Sequence, residues 1–143
     1  MAQSGPIVLV DDDEDDFELF SLVLKKEGIT NTLLHFNNGS KALEYLNSTG
    51  DNPFLILSDM NMPKMGGIEL KTAIDSDNRL KKQAIPFVFF TTSGAEIAVK
   101  RAYELDIQGF FVKEDTMESL SRQVRQIFNY WQESLHPNNF GNS

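Results

Sequence analysis

The chain has no cysteine, which excludes disulfides and thiolate metal sites and suits a reducing cytoplasm. Basic residues are also scarce: 13 Lys and Arg stand against 21 Asp and Glu, for a net charge of −8. A protein that grips nucleic acid by its phosphates needs a basic face to displace counterions, so direct DNA binding is not expected. No stretch approaches the ~20 apolar residues that span a bilayer, and no membrane partner is expected. The opening Met1-Ala2-Gln3-Ser4-Gly5-Pro6 carries no basic residue and no long apolar run, so it does not read as a secretory signal. A length of 143 residues accommodates one domain, which would bury roughly 68–70% of the surface of its unfolded chain.

What the chain does have is a series of short apolar runs, each stopping at a polar residue. Ile7-Val8-Leu9-Val10 ends in Asp11-Asp12, the start of an acidic run that reaches Glu18. Phe54-Leu55-Ile56-Leu57-Ser58 ends at Asp59, Pro86-Phe87-Val88-Phe89-Phe90 at Thr91-Thr92-Ser93-Gly94, and Gly109-Phe110-Phe111-Val112 at Lys113. Thr32 to Phe36 reads as a weaker strand, nearer an edge. Between the runs, apolar residues recur at helical spacing: Phe17, Phe20, Val23, Leu24; then Ala42, Leu43, Leu46; then Ile68, Leu70, Ile74; then Ile97, Ala98, Ala102, Tyr103; and finally Leu120, Val124, Ile127, Phe128, Trp131. Asp115 and Glu118 have capping-box spacing at the start of the last helix. Residues 75–85 form a polar connection with a helical extension at Leu80, longer than the ~2–6 residues usual there.

Five strands, most of them continuously apolar, alternating with five helices imply an α/β fold, a doubly wound parallel sheet covered on both faces. The common five-strand order is 2-1-3-4-5, which sets strands one and three side by side at the switch point where open α/β sheets bind ligands. Residues 1–6 are then a lead-in, 7–131 the domain and 132–143 a tail with no output domain. On its own stretch Asp59 reads equally well as a cap for the following helix. The sorting of four strand ends into Asp11 and Asp12, Asp59, Thr91 and Lys113 weighs against that.

Three carboxylates packed together repel one another and call for a cation. With two or three protein oxygens on offer beside a lysine, Mg²⁺ keeping several waters fits better than a calcium cage. An EF-hand reading fails, because Asp16 stands where its glycine is required and Leu22 where its bidentate Glu is required. A carboxylate beside Mg²⁺, faced by a lysine and a threonine, has the parts to form an acyl phosphate.

Val10-Asp11-Asp12, Ser58-Asp59 followed by Met62-Pro63, Thr91 and Lys113, in that order at the ends of strands one, three, four and five, closely resemble a response-regulator receiver domain of two-component signalling. The match covers Ile7 to Trp131 and implies a flavodoxin-like fold. The resemblance implies that Asp59 is the phosphoacceptor, and that Asp12 and Asp59 ligate Mg²⁺ with the backbone carbonyl of Asn61, Asp11 holding the metal through water. It also implies that Thr91 and Lys113 bind the phosphoryl group and that Phe110 is the switch aromatic. Three positions depart from the family pattern. Glu114 replaces the usual Pro after the lysine, Gly66 replaces a common Asp and loosens its turn, and Phe110 lacks a tyrosine hydroxyl.

The expectation is a stand-alone, cytoplasmic response regulator, phosphorylated by a sensor histidine kinase or phosphotransfer protein and signalling through an unknown protein target. It resembles the single-domain regulators that often partner phytochrome-type or other sensor kinases, and it is not expected to be an enzyme beyond its own phosphoryl chemistry. One alternative is a degenerate receiver that binds without phosphorylation, with Glu114 its best support. Another is a Mg²⁺-dependent phosphohydrolase, disfavoured because Asn61 stands where the leaving-group acid is needed. His35 and His136 lack any evident partner and are not expected to carry phosphate. Met60, Met62 and Met65 read as pliable loop packing. Asp13 to Asp16 read as a solvated first helical turn, and an exposed aromatic among Phe128, Tyr130 and Trp131 would mark a homodimer face.

Overall fold

The computed structural model describes residues 4–92, 94–135 and 137; Ser93, His136 and the rest of the tail lie outside the described residues. The strands are β1 (Ile7–Val10), β2 (Leu33–Phe36), β3 (Leu55–Ser58), β4 (Phe87–Thr91) and β5 (Gly109–Val112). The helices are α1 (Glu14–Lys26), α2 (Gly39–Ser48), α3 (Gly67–Asp75), α4 (Asn78–Gln83), α5 (Glu96–Ala102) and α6 (Met117–Glu133). All strand pairs are parallel, in the order β2-β1-β3-β4-β5.

The apolar runs are continuous because both faces of the sheet are covered. Ile7, Leu9, Leu55, Leu57, Val88 and Phe90 point to one face, where α1 and α6 cover them with Phe20, Val23, Leu24, Leu120, Val124, Ile127 and Trp131. Val8, Val10, Ile56, Phe87 and Phe89 point to the other, against Ala42 and Leu46 of α2, Leu70 and Ile74 of α3, Leu80 of α4 and Ala102 of α5. The outer strands show their edge positions. Every residue of β2 is half-buried, and Val112 of β5 is exposed.

Six helices are described rather than five, because the 75–85 connection folds as a helix of its own. Asp77 caps α4 by accepting the amides of Arg79 and Leu80, and Leu80 is buried. The last helix is capped by Thr116, whose hydroxyl oxygen accepts the Ser119 amide at 3.1 Å, so the Asp115–Glu118 capping box is not formed. Ile97 and Tyr103 do not join the core. Ile97 is 80% exposed, and α5 buries its small Ala102 against the sheet. Trp131 is buried, Phe128 half-buried and Tyr130 exposed.

Candidate functional site

The parallel ladder continues one residue past the strand ends and fixes the site. The Asp11 amide donates to the Phe36 carbonyl at 2.9 Å, the Asp59 amide to Val10 at 2.9 Å and the Lys113 amide to Thr91 at 2.8 Å. Residues far apart in sequence thereby become lateral neighbours at the carboxyl edge of the sheet.

Asp11 forms the floor, its side chain 1% exposed, Asp59 the wall at 14%, and Asp12 an exposed rim. One oxygen from each carboxylate lies within 4.8 Å of the other two. Asp59 is not a helix cap, since α3 is entered through Gly66. Its Oδ1 accepts the Thr91 hydroxyl at 2.7 Å and the Met60 amide at 2.8 Å, while Oδ2 faces the Lys113 ammonium at 3.9 Å. Thr91 is buried at 1%, so its hydroxyl has little else to bond. Lys113 reaches in from the end of β5 with its side chain 8% exposed, bonded to Asp11 Oδ2 and, at 2.8 Å, to Asp16 Oδ2.

The charge balance explains the electrostatics. Burial pushes the Asp11 carboxyl above its ordinary pKa and the nearby Asp16 charge adds to this; hydrogen bonds from Lys113 and the Asp13 amide only partly offset it. Burial opposes the Lys113 charge, but the bonds to Asp11 and Asp16 and the attraction of Asp11 and Asp59 outweigh it, so the ammonium is held above the usual lysine pKa. Asp11, Asp16 and Asp59 face one ammonium and Asp12 adds a further carboxylate beside Asp11 and Asp59, which leaves excess negative charge; hard oxygen donors at this separation fit a divalent cation that retains several waters. Asn61 is exposed in the loop after β3. Phe110 is half-buried, its ring 5.9 Å from that of Phe89.

The loop after β3 is not loosened by Gly66. A Cβ there would stand 2.5 Å from the Met60 carbonyl oxygen, and one on Gly67 would stand 2.4 Å from that of Asp59. The absent side chains let the loop fold back until the Gly67 amide bonds Met60 O at 3.0 Å. Met60 is buried and Met62 and Met65 pack against the core beside it.

Residues 7–125 match the family of the response regulator receiver domain. The chain belongs to that family. Among the relatives of this receiver, response regulator Rcp1 of Synechocystis sp. is 34% identical over 134 residues, covering 90% of each chain. The chemotaxis protein CheY of Pseudomonas aeruginosa is 33% identical over 122 residues, covering 85% of this chain and 94% of its own. Solved structures agree. The phosphorylated cyanobacterial phytochrome response regulator RcpA superposes with a TM-score of 0.82 at 29% identity, covering 92% of the receiver and 97% of its own chain. The Mn²⁺-bound form of Rcp1 gives 0.74 at 34% identity, covering 90% and 95%.

Three contacts of this receiver were not evident from its sequence. Asp16 is not simply a solvated first-turn acid, because it shares Lys113 with Asp11. His35 does have a partner: its Nε2–H donates to the Asp11 carbonyl at 2.7 Å while its ring stacks on Phe17 at 4.5 Å. Gln123 of α6, only 8% exposed, bonds the backbone on either side of Lys113. None is flagged by spacing or composition, since each depends on how a helix or edge strand is rotated onto the sheet.

Proposed function

We propose that this receiver is a stand-alone response regulator that takes a phosphoryl group onto Asp59 from a histidine kinase or phosphotransfer protein and signals through protein contacts that depend on that group. The observation that carries the reading is the convergence of the Thr91 hydroxyl and the Lys113 ammonium on the two oxygens of Asp59, beside Asp11 and Asp12. Asp59 Oδ2 attacks phosphorus as the bond to the donor imidazole breaks. Lys113 neutralises one phosphoryl oxygen, and the Thr91 hydroxyl swings from Asp59 Oδ1 to donate to another. Asp11, Asp12, Asp59 and the Asn61 carbonyl would hold Mg²⁺, which supplies charge neutralisation at the transferring group when bound.

The added charge of about −1.5 to −2 enters an already anionic site. Retaining it requires Thr91 and Lys113 to close on the phosphoryl oxygens, and Phe110, packed against Phe89, follows as the aromatic part of the switch. The stand-alone character draws support from Rcp1 and CheY, whose lengths the match nearly spans. RcpA is a cyanobacterial phytochrome response regulator, and the likeness to it supports a phytochrome-type kinase as partner, in a cytoplasmic setting.

Asp59→Asn should abolish Mg²⁺-dependent labelling by acetyl phosphate, read as the mass increment on the intact protein. Labelling of the variant at the wild-type rate would overturn the choice of acceptor. Sustained turnover of phosphate esters by the wild type would move the protein to the phosphohydrolases.

A further inference from the structure

We infer that Gln123 is a positioning residue for Lys113, an amide clamp that holds the β5–α6 loop so that the ammonium reaches the acidic site. The inference rests on the reading of Asp59 as phosphoacceptor. Lys113 lies just beyond β5, the last strand in the sheet order, so β4 alone pairs with it and steadies the loop at its end. The Lys113 amide bonds Thr91 O at 2.8 Å, which secures one side of one residue. Gln123 secures the flanks: its Nε2 donates to the Val112 carbonyl at 2.7 Å and its Oε1 accepts the Glu114 amide at 3.3 Å. Both ends of one buried side-chain amide are thus spent on the two neighbours of Lys113.

The arrangement makes use of Glu114. Being other than proline, Glu114 carries an N–H in a half-buried position, and Gln123 provides its acceptor. The loop is therefore held by side-chain hydrogen bonds from α6. From that anchored backbone the Lys113 side chain, 8% exposed, extends to Asp11, Asp16 and Asp59. Misplacement of a reacting group by about 1 Å can cost on the order of 10²-fold in rate, so loss of both Gln123 bonds to this backbone should be felt at Nζ.

The test compares wild type, Gln123→Met, Gln123→Leu and Val124→Ala. Met and Leu keep most of the side-chain volume without hydrogen bonds; Val124→Ala weakens the neighbouring core contact of α6 and leaves the loop bonds intact. The readouts are the rate of labelling by acetyl phosphate, Mg²⁺ affinity, hydrogen exchange of the Glu114 amide, and the NMR signal of the Lys113 ammonium. In whichever Gln123 variant folds, labelling should slow about tenfold with Mg²⁺ affinity unchanged, because the carboxylates belong to β1 and β3. The Glu114 amide should lose protection and the Lys113 signal should shift or broaden. Val124→Ala should lower Tm and keep the wild-type rate. Labelling within twofold of wild type, equal slowing in Val124→Ala, or an unchanged Lys113 signal would overturn the clamp. A wild type that takes no phosphoryl group while Gln123→Met still shifts the Lys113 signal would instead refute the phosphoacceptor reading and leave the clamp standing.

Discussion

Replacing Lys113 by Met removes the ammonium from a site of four carboxylates while keeping chain length and apolar stem. The side chain is 8% exposed and its partner Asp11 is 1% exposed, so the loss strands a buried charge and is not the near-neutral loss of a surface ion pair. Deleting one partner of a buried pair costs about 3–5 kcal/mol. Asp11 retains the Asp13 amide at 2.9 Å, which places the cost near the lower end, about 3 kcal/mol. For a domain of this size that is roughly a 10 °C fall in Tm.

The pH dependence has a definite sign. The folded pKa of Asp11 is raised, so its charged form costs stability once the pH passes the ordinary carboxylate pKa, and protonation relieves that cost. The folded pKa of Lys113 is also raised, so its contribution is fully present below the usual lysine pKa and is lost only as the pH rises through the raised value. The Tm gap between variant and wild type should therefore be widest near neutral pH and narrow on acidification, as Asp11 takes up a proton. It should narrow also with Mg²⁺. Without the competing ammonium the carboxylates should bind the cation at least about tenfold more tightly, and 100-fold excess over Kd contributes about 2.7 kcal/mol. Melts followed by circular dichroism, with and without Mg²⁺ at two pH values, measure all of this. A variant within about 2 °C of wild type at neutral pH without divalent cation would refute the reasoning.

Thr91→Val keeps shape and burial but removes the donor to Asp59; a charge-assisted bond of about 1.5–3 kcal/mol corresponds to a roughly 10- to 150-fold slower labelling by acetyl phosphate, with the fold retained by circular dichroism. Gly67→Ala places a Cβ 2.4 Å from the Asp59 carbonyl and 2.5 Å from the Phe89 ring. A destabilisation of about 1–3 kcal/mol in urea titration is expected, together with weakened Mg²⁺ binding, since the displaced backbone belongs to Asp59.

The five residues at the centre of the site were legible because they stand at the ends of four apolar strands, and a parallel sheet with right-handed crossovers leaves few ways to order the strands. Asp11, Asp12, Asp59, Thr91 and Lys113 therefore come together by topology alone. The edge position of β2 and the inward stripe of α6 were likewise legible, the one from a weak apolar run, the other from strict helical spacing. The 75–85 connection was harder, because α4 has only six residues and a single buried leucine gives no periodicity. Ile97 and Tyr103 misled for the opposite reason: helical spacing marks a face, but only packing decides which face is buried.

Sequence alone determined the sheet, its order and the acidic switch point, since strand ends inherit their neighbours from the ladder. Tertiary structure alone decided how those side chains are held: Lys113 leaning on Asp16, His35 on the Asp11 carbonyl, and Gln123 bracketing the lysine from α6. Such contacts depend on the rotation and lateral placement of each helix against the sheet. Those are set by the packing of the whole core, which no local spacing of residues encodes.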